Sequence, residues 1–222
     1  MTKLLLTSAG ITNQILATAL KELVGKPPST TSIAFIPTAA NTEAGSKGWL
    51  IDDLRRLKEL GYAVDIVDIS AIEKSMWLPR LESADIIFVG GGNTYHLLHW
   101  VRLSGLEEVL PKLLETRVYA GISAGSIITG PSLQASSLRS YYPEDVGKDS
   151  AGLKYVDFHI RPHLNSPSFP KVRKPQAQQD FADFAEAVYV IDDQTAIQVV
   201  NGDIEVIGEG DYLVVQPRLD HP

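Results

Sequence analysis

From Leu4 to Ile122, short apolar runs alternate with longer amphipathic stretches, and few folds accept that order. Leu4 to Thr7, Ser32 to Ile36, Val64 to Val67, Asp85 to Val89 and Val118 to Ile122 read as buried strands. Between them, helices are predicted over Ile11 to Leu23, Gly48 to Leu60, Thr94 to about Leu103, and Leu106 to Leu114. In Gly48 to Leu60, the residues Leu50, Ile51, Leu54, Leu57 and Leu60 are expected to share one face, and Gly61 closes the helix. Near-continuous apolar strands alternating with helices predict an α/β fold, with a mostly parallel sheet covered by helices on both faces.

After about Gly130 the pattern changes. Ser132 to Gly152 is polar and rich in turn formers, as a surface loop would be. Tyr155 to Ile160 reads as a strand leading into Arg161-Pro162-His163, and Gln176 to Ala187 as a helix. Short strands are predicted at Val188 to Ile191, Ala196 to Val200, Ile204 to Ile207 and Tyr212 to Val215, with a hairpin turn at Asn201-Gly202. They are expected to extend the same sheet in antiparallel fashion. There is no repeat or interdomain linker, so residues 1–222 read as one domain.

Composition narrows the function classes. A net charge of −7 with no long basic run disfavours nucleic acid and anionic membranes as partners. No apolar run reaches the ~20 residues that span a bilayer. Met1-Thr2-Lys3-Leu4-Leu5-Leu6 is too short for a signal-peptide core. The chain has no cysteine, which excludes disulfides, thiolate metal sites and a cysteine nucleophile, and fits a cytoplasmic location.

Two glycine-rich turns follow predicted strands. Gly121-Ile122-Ser123-Ala124-Gly125 fits the nucleophile-elbow pattern G-x-S-x-G. A serine on so tight a turn needs small neighbours, and the N–H of Ala124 would face a developing oxyanion. The plainer alternative is a small-residue strand–helix junction. Gly90-Gly91-Gly92-Asn93-Thr94 ends the preceding strand. Gly91 or Gly92 could add a second oxyanion donor, and Asn93 is a candidate for substrate binding. A phosphate cradle, or a plain turn with Asn93 as helix N-cap, are the alternatives.

A serine nucleophile requires a base. His96, His99, His159, His163 and His221 are the candidates. His163 is preferred over His159 because it follows a predicted strand end, where loops build sites. The acid that orients the base is open among Asp157, Asp192, Asp193, Glu144, Asp145 and Asp149.

These segments, together with Phe35-Ile36-Pro37-Thr38-Ala39 and Gly130-Pro131, resemble the peptidase E family of serine peptidases (aspartyl dipeptidases), relatives of cyanophycinase. The resemblance covers most of the chain. It implies a three-layer α/β/α sandwich similar to class I glutamine amidotransferases, with Ser123 as nucleophile and His163 as base. Where some members carry an aspartate fifteen residues after the serine, this chain has Leu138; where others carry a glutamate after the histidine, it has Asp193. Asp193 is therefore assigned as the third member. Arg173 lies where aspartyl dipeptidases carry a substrate-binding arginine, although its surroundings differ. The resemblance implies a dipeptidase-like peptidase acting on small peptides, as monomer or homodimer, with no metal or cofactor. A cyanophycinase-like hydrolase, an esterase, or a silent binding protein of the same fold are the alternatives.

Overall fold

The computed structural model describes residues 2–136 and 150–217. Strand β1 (Lys3–Thr7) leads into α1 (Gln14–Val24), and β2 (Ser32–Ile36) into α2 (Gly48–Glu59). Next come β3 (Ala63–Ile66), α3 (Lys74–Ser83) and β4 (Ile86–Val89). Helices α4 (Thr94–Leu103) and α5 (Leu106–Leu113) then lead to β5 (Val118–Ile122) and the one-turn α6 (Ala124–Ile127). The remainder is β6 (His159–Leu164), α7 (Lys174–Asp180), β7 (Val188–Asp192), β8 (Thr195–Val200), β9 (Asp203–Gly208) and β10 (Tyr212–Val215).

The main sheet has seven strands in the order β3-β2-β4-β5-β1-β8-β9. The first five are parallel, and β8 and β9 join antiparallel. Side chains alternate across it, so each face builds its own core. Leu5, Ile33, Phe35, Phe88 and Ala120 pack against α1 and α2. Leu4, Leu6, Ile36, Ile87 and Tyr119 pack on the other face with Trp77, Leu97, Val101 and Leu110 from α3, α4 and α5. The result is an α/β sandwich of helices, mostly parallel sheet, and helices.

Several boundaries differ from the sequence reading. Helix α1 starts at Gln14 rather than Ile11, because the Asn13 side chain caps it by accepting from the Leu16 N–H. In α2, Ile51 is exposed, while Asp53 and Leu57 are buried. At 100° per residue Ile51 stands well off the Leu54–Leu57 face, whereas Asp53 falls between Leu57 and Leu60. Helix α3 has no counterpart in the reading. The strand expected over Tyr155 to Ile160 forms instead at His159–Leu164, and α7 ends at Asp180, short of Ala187.

The C-terminal strands do not all extend the main sheet. Only β8 and β9 do so. Strands β10, β7 and β6 form a separate three-stranded sheet, with β6 and β7 parallel. It packs its own apolar cluster, Leu164, Val172, Ala177, Phe181, Val188 and Val190. Of the expected surface loop over 132–152, residues 137–149 lie outside the described residues, as do Leu138, Glu144, Asp145, Asp149 and His221. No described helix is long and apolar enough to cross a membrane.

Candidate active site

Strands β4, β5 and β1 are parallel neighbours, so their C-terminal ends share one edge of the sheet. In open α/β sheets ligand sites form at that edge. Three turns meet there: Thr7-Ser8 after β1, Gly90-Gly91-Gly92 after β4, and Ser123 after β5.

Ser123 sits at φ 46°, ψ −103°, a conformation rare for a residue with a side chain. Such strain costs about 1–3 kcal/mol and persists only where surrounding bonds fix it. Here the Ser123 N–H donates to the Thr7 carbonyl at 3.0 Å, and the Ser126 N–H donates to the Ser123 carbonyl at 2.9 Å. Buried Ser126 Oγ donates to the same Thr7 carbonyl at 2.8 Å, and Thr7 Oγ1 donates to the Gly121 carbonyl at 2.7 Å.

The elbow glycines are required by contact. A Cβ on Gly121 would lie 2.7 Å from the Gly125 carbonyl carbon, and one on Gly125 would lie 2.2 Å from the Val89 carbonyl oxygen. Gly92, at φ 132°, would bring a Cβ to 2.3 Å from the Ala39 carbonyl. The backbone of Gly91 runs beside the nucleophile, its ideal Cβ position 3.5 Å from Ser123 Cβ. The N–H groups of Gly91 and Gly92 have no acceptor among the described residues. That of Ala124, at the first position of α6, has none within its helix. Three donors are thus available around Ser123. Helix α6 is a single turn of four residues.

His163 Nε2 lies 3.0 Å from Ser123 Oγ, and His163 Nδ1 lies 2.7 Å from Asp193 Oδ1. Burial pushes the Asp193 carboxyl up, but hydrogen bonds from His163 and Ser8 and the charge of His163 outweigh it and hold it below its usual value. Asp193 is therefore ionised at neutral pH and can only accept. Nδ1 then carries the proton, which leaves Nε2 free to accept from the serine hydroxyl. His163 lies inside β6, not beyond it as the sequence suggested. The register of β6 against β7 shifts between Arg161 and Leu164, and His163 takes φ 69°. This bulge turns the imidazole out of the ladder toward Ser123. Phe169 stacks on the ring at 4.1 Å with an interplanar angle of 4°.

Ser8 was invisible in the sequence. Its Oγ donates to Asp193 Oδ1 at 2.7 Å and accepts from the His163 backbone N–H at 2.9 Å. The signal that could have found it is its place directly after a buried strand, the same rule that singled out Ser123.

A cavity of about 490 Å³ opens over these groups. Ser123, His163 and Asp193 line it together with Gly91 and Gly92; α2 contributes Trp49, Asp53 and Arg56, and β6 contributes Arg161. Asp53 is 7% exposed, and burial pushes its carboxyl up to about 7 despite Arg56 Nη1 at 3.1 Å from Oδ1.

Two expected substrate contacts do not reach this wall. Asn93 is fully buried, and its Oδ1 accepts from the His96 N–H, capping α4. Arg173 Nη1 donates to the carbonyls of Val172 at 2.8 Å and Phe169 at 3.2 Å, so it braces the turn after β6. The other histidines go elsewhere: His159 Nε2 is 3.3 Å from Glu186 Oε2 under Phe184, and His96 and His99 pack beside Trp100. Asp192 also turns away, its Oδ1 accepting from Thr195 Oγ1 and its Oδ2 from the Asp211 N–H, both at 2.7 Å. Among the described residues, no group of three or more His, Asp and Glu side chains is placed to hold a metal.

Residues 4–207 match the sequence profile described as Peptidase family S51. A peptidase E of Nostoc sp. is 29% identical over 201 residues, covering 89% of this chain and 73% of that protein. An uncharacterised peptidase of Pasteurella multocida is 29% identical over 179 residues, covering 79% of this chain and 84% of that protein. Among solved structures, a Listeria monocytogenes protein provisionally assigned to peptidase E superposes with a TM-score of 0.78 at 22% identity, covering 95% of this chain and 100% of that one. A peptidase from an acI-B1 actinobacterium gives a TM-score of 0.75 at 19% identity, covering 99% of this chain and 92% of that one.

Proposed function

The chain belongs to peptidase family S51, and on that premise we propose that it is a serine-type peptidase hydrolysing small peptides, dipeptides among them, through an acyl-enzyme on Ser123. One observation carries this reading: the continuous relay from Asp193 Oδ1 through both nitrogens of His163 to Ser123 Oγ, with spacings of 2.7 and 3.0 Å.

In the proposed reaction Ser123 Oγ attacks the scissile carbonyl carbon while His163 Nε2 takes its proton. Asp193 holds the imidazole in the required tautomer and stabilises the imidazolium. The oxyanion is received by the N–H of Ala124 and that of Gly91 or Gly92; each such donor is worth about 10²- to 10³-fold in rate. His163 gives its proton to the leaving amine as the C–N bond breaks. A water molecule, deprotonated by His163, then attacks the acyl ester, and Ser123 regains its proton. Every proton transfer runs through this chain's own groups. The absence of cysteine fits a cytoplasmic setting, and the proposed enzyme acts there as a monomer or homodimer.

The test is a panel of dipeptides and aminoacyl amides assayed with wild type and Ser123→Ala, alongside labelling by a fluorophosphonate probe. Wild type is expected to be labelled on Ser123 and to turn over peptides; the variant should lose several orders of magnitude in rate. Equal hydrolysis by the two proteins, or no labelling of Ser123, overturns the proposal.

A further inference from the structure

His163 is held on two sides. Asp193 Oδ1 meets the edge of the imidazole at Nδ1, and the Phe169 ring lies flat against one face, with centroids 4.1 Å apart and an interplanar angle of 4°. Two neutral aromatic rings prefer offset or edge-on contacts, with centroids about 4.5–7 Å apart, because the negative faces of a parallel pair repel. A ring that becomes cationic has the opposite preference, since its charge is drawn to the negative face of its neighbour. A parallel stack this close suits the imidazolium better than the neutral base.

The turn that carries Phe169 is tied down along its length. The Asn165 N–H donates to the Val172 carbonyl at 2.9 Å, the Phe169 N–H to the Ser166 carbonyl at 3.1 Å, and the Val172 N–H to the Phe169 carbonyl at 3.0 Å. The Ser166 N–H donates to the carbonyl of His163 itself at 3.2 Å. Arg173 Nη1 donates into the same turn, to the carbonyls of Val172, Phe169 and Ser166 at 2.8, 3.2 and 3.5 Å. Phe169 also packs against the apolar cluster of the smaller sheet, which includes Val172 and Phe181. The ring is therefore braced from behind by a core and from below by a guanidinium.

We infer that this turn is a clamp on the general base: Phe169 is a positioning residue that aims the imidazole at Ser123 and stabilises the imidazolium formed in the reaction, and Arg173 acts through it by fixing the turn. The inference rests on the peptidase reading above. Asp193 offsets the developing charge in the plane of the ring, and Phe169 offsets it above the plane. Phe169 also keeps water off that face. Among the described residues, Asp193 is the one charged group bonded to the imidazole. Glu43, Asp52, Asp53, Arg56 and Arg161 line the wider cavity.

The experiment separates the aromatic face from simple packing. Phe169→Leu keeps an apolar side chain and every charge but removes the face, and Phe169→Tyr restores it. In proton NMR the ring resonances of His163, identified by their loss in His163→Gln, should lie upfield in wild type under the ring current of Phe169. Phe169→Leu should return them downfield. Their titration midpoint should fall by about 0.5–1 pH unit in Phe169→Leu, because the cation has lost its neighbour, and should recover in Phe169→Tyr. On the dipeptides that wild type turns over, Phe169→Leu should lower kcat by about 5- to 30-fold with KM little changed. The acid limb of the kcat/KM profile should move to lower pH with the titration. Arg173→Gln should shift both readouts in the same direction by less. Combining it with Phe169→Leu should add little, since residues acting through one contact are not additive. A titration that moves, with no hydrolysis by wild type, would fail the peptidase reading and leave the clamp standing. An unmoved titration in Phe169→Leu, a loss that Phe169→Tyr does not restore, or fully additive losses in the double variant overturn the inference.

Discussion

Ser8 and His163 converge on one atom: both place a donor 2.7 Å from Asp193 Oδ1. The same Ser8 oxygen accepts the backbone N–H of His163. One hydroxyl from the end of β1 therefore ties the acid and the base together across two different sheets. Ser8 is a positioning residue, acting through Asp193 and His163.

Ser8→Ala should lower kcat by about 10- to 100-fold, the worth of a hydrogen bond to a charged group. Ser8 also withdraws charge from the oxygen that faces the imidazole. Without it, the acid limb of the kcat/KM profile should move to higher pH. A loss confined to packing would leave that limb in place, so a pH–rate series separates the two.

Asp193→Asn keeps the shape and reverses the hydrogen-bond logic at Nδ1, because an amide presents a donor as readily as an acceptor. A fall in kcat of about 10⁴-fold is expected, as when the acid of a serine triad is replaced by its amide. The folded-state value of Asp193 is lowered, so the stability it contributes is present above its unfolded value of 3.8 and is lost as pH falls through the folded one. Thermal denaturation of wild type and variant between pH 3 and 7 should converge at the acid end.

Gly125→Ala places a methyl group 2.2 Å from the Val89 carbonyl oxygen, where neither backbone can yield without moving β4 or the elbow. A stability loss on the order of 3 kcal/mol, with loss of activity, is expected from such overpacking. Gly48→Ala, whose Cβ meets nothing closer than the Ser46 hydroxyl at 3.6 Å, is the control and should stay within about 0.5 kcal/mol. Denaturant melts of the two variants decide it.

Asp53 should make the protein less stable as pH rises. Its folded value is pushed up to about 7 by burial, from 3.8, so between those values the folded state holds a proton that the unfolded state has released. Stability therefore falls through that window, by an amount on the order of 4 kcal/mol at 1.36 kcal/mol per pH unit. Asp53→Asn has nothing to ionise. Its melting temperature should be nearly flat from pH 4 to 7 and should exceed that of wild type at pH 8. A parallel decline in both proteins would refute the assignment.

The elbow and the glycine turn after β4 were legible because their constraint is local. Gly121, Gly125 and Gly92 are needed wherever two backbones close to such distances, and the strands before them are continuous apolar runs. His163 was read in a different setting from the one it occupies. Pro162 and the polar residues around it read as a strand end. In the fold they sit at a bulge of β6, where the missing proline N–H costs no ladder bond. Asp192 and Asp193 are neighbours of the same type. One fixes the turn into β8 and the other meets His163, a division set by the geometry of that turn.

The amino-acid sequence by itself determined the α/β alternation, the strained serine turn and the glycine donors beside it, because apolar periodicity and the absence of a Cβ act over a few residues. Tertiary structure alone decided that Ser8 joins the relay, that Arg173 braces a turn, and that Arg161 rather than Arg173 lines the cavity. Those outcomes depend on how a second sheet docks against the first. Long side chains such as arginine are directed by what lies across that contact, and no spacing along the chain encodes it.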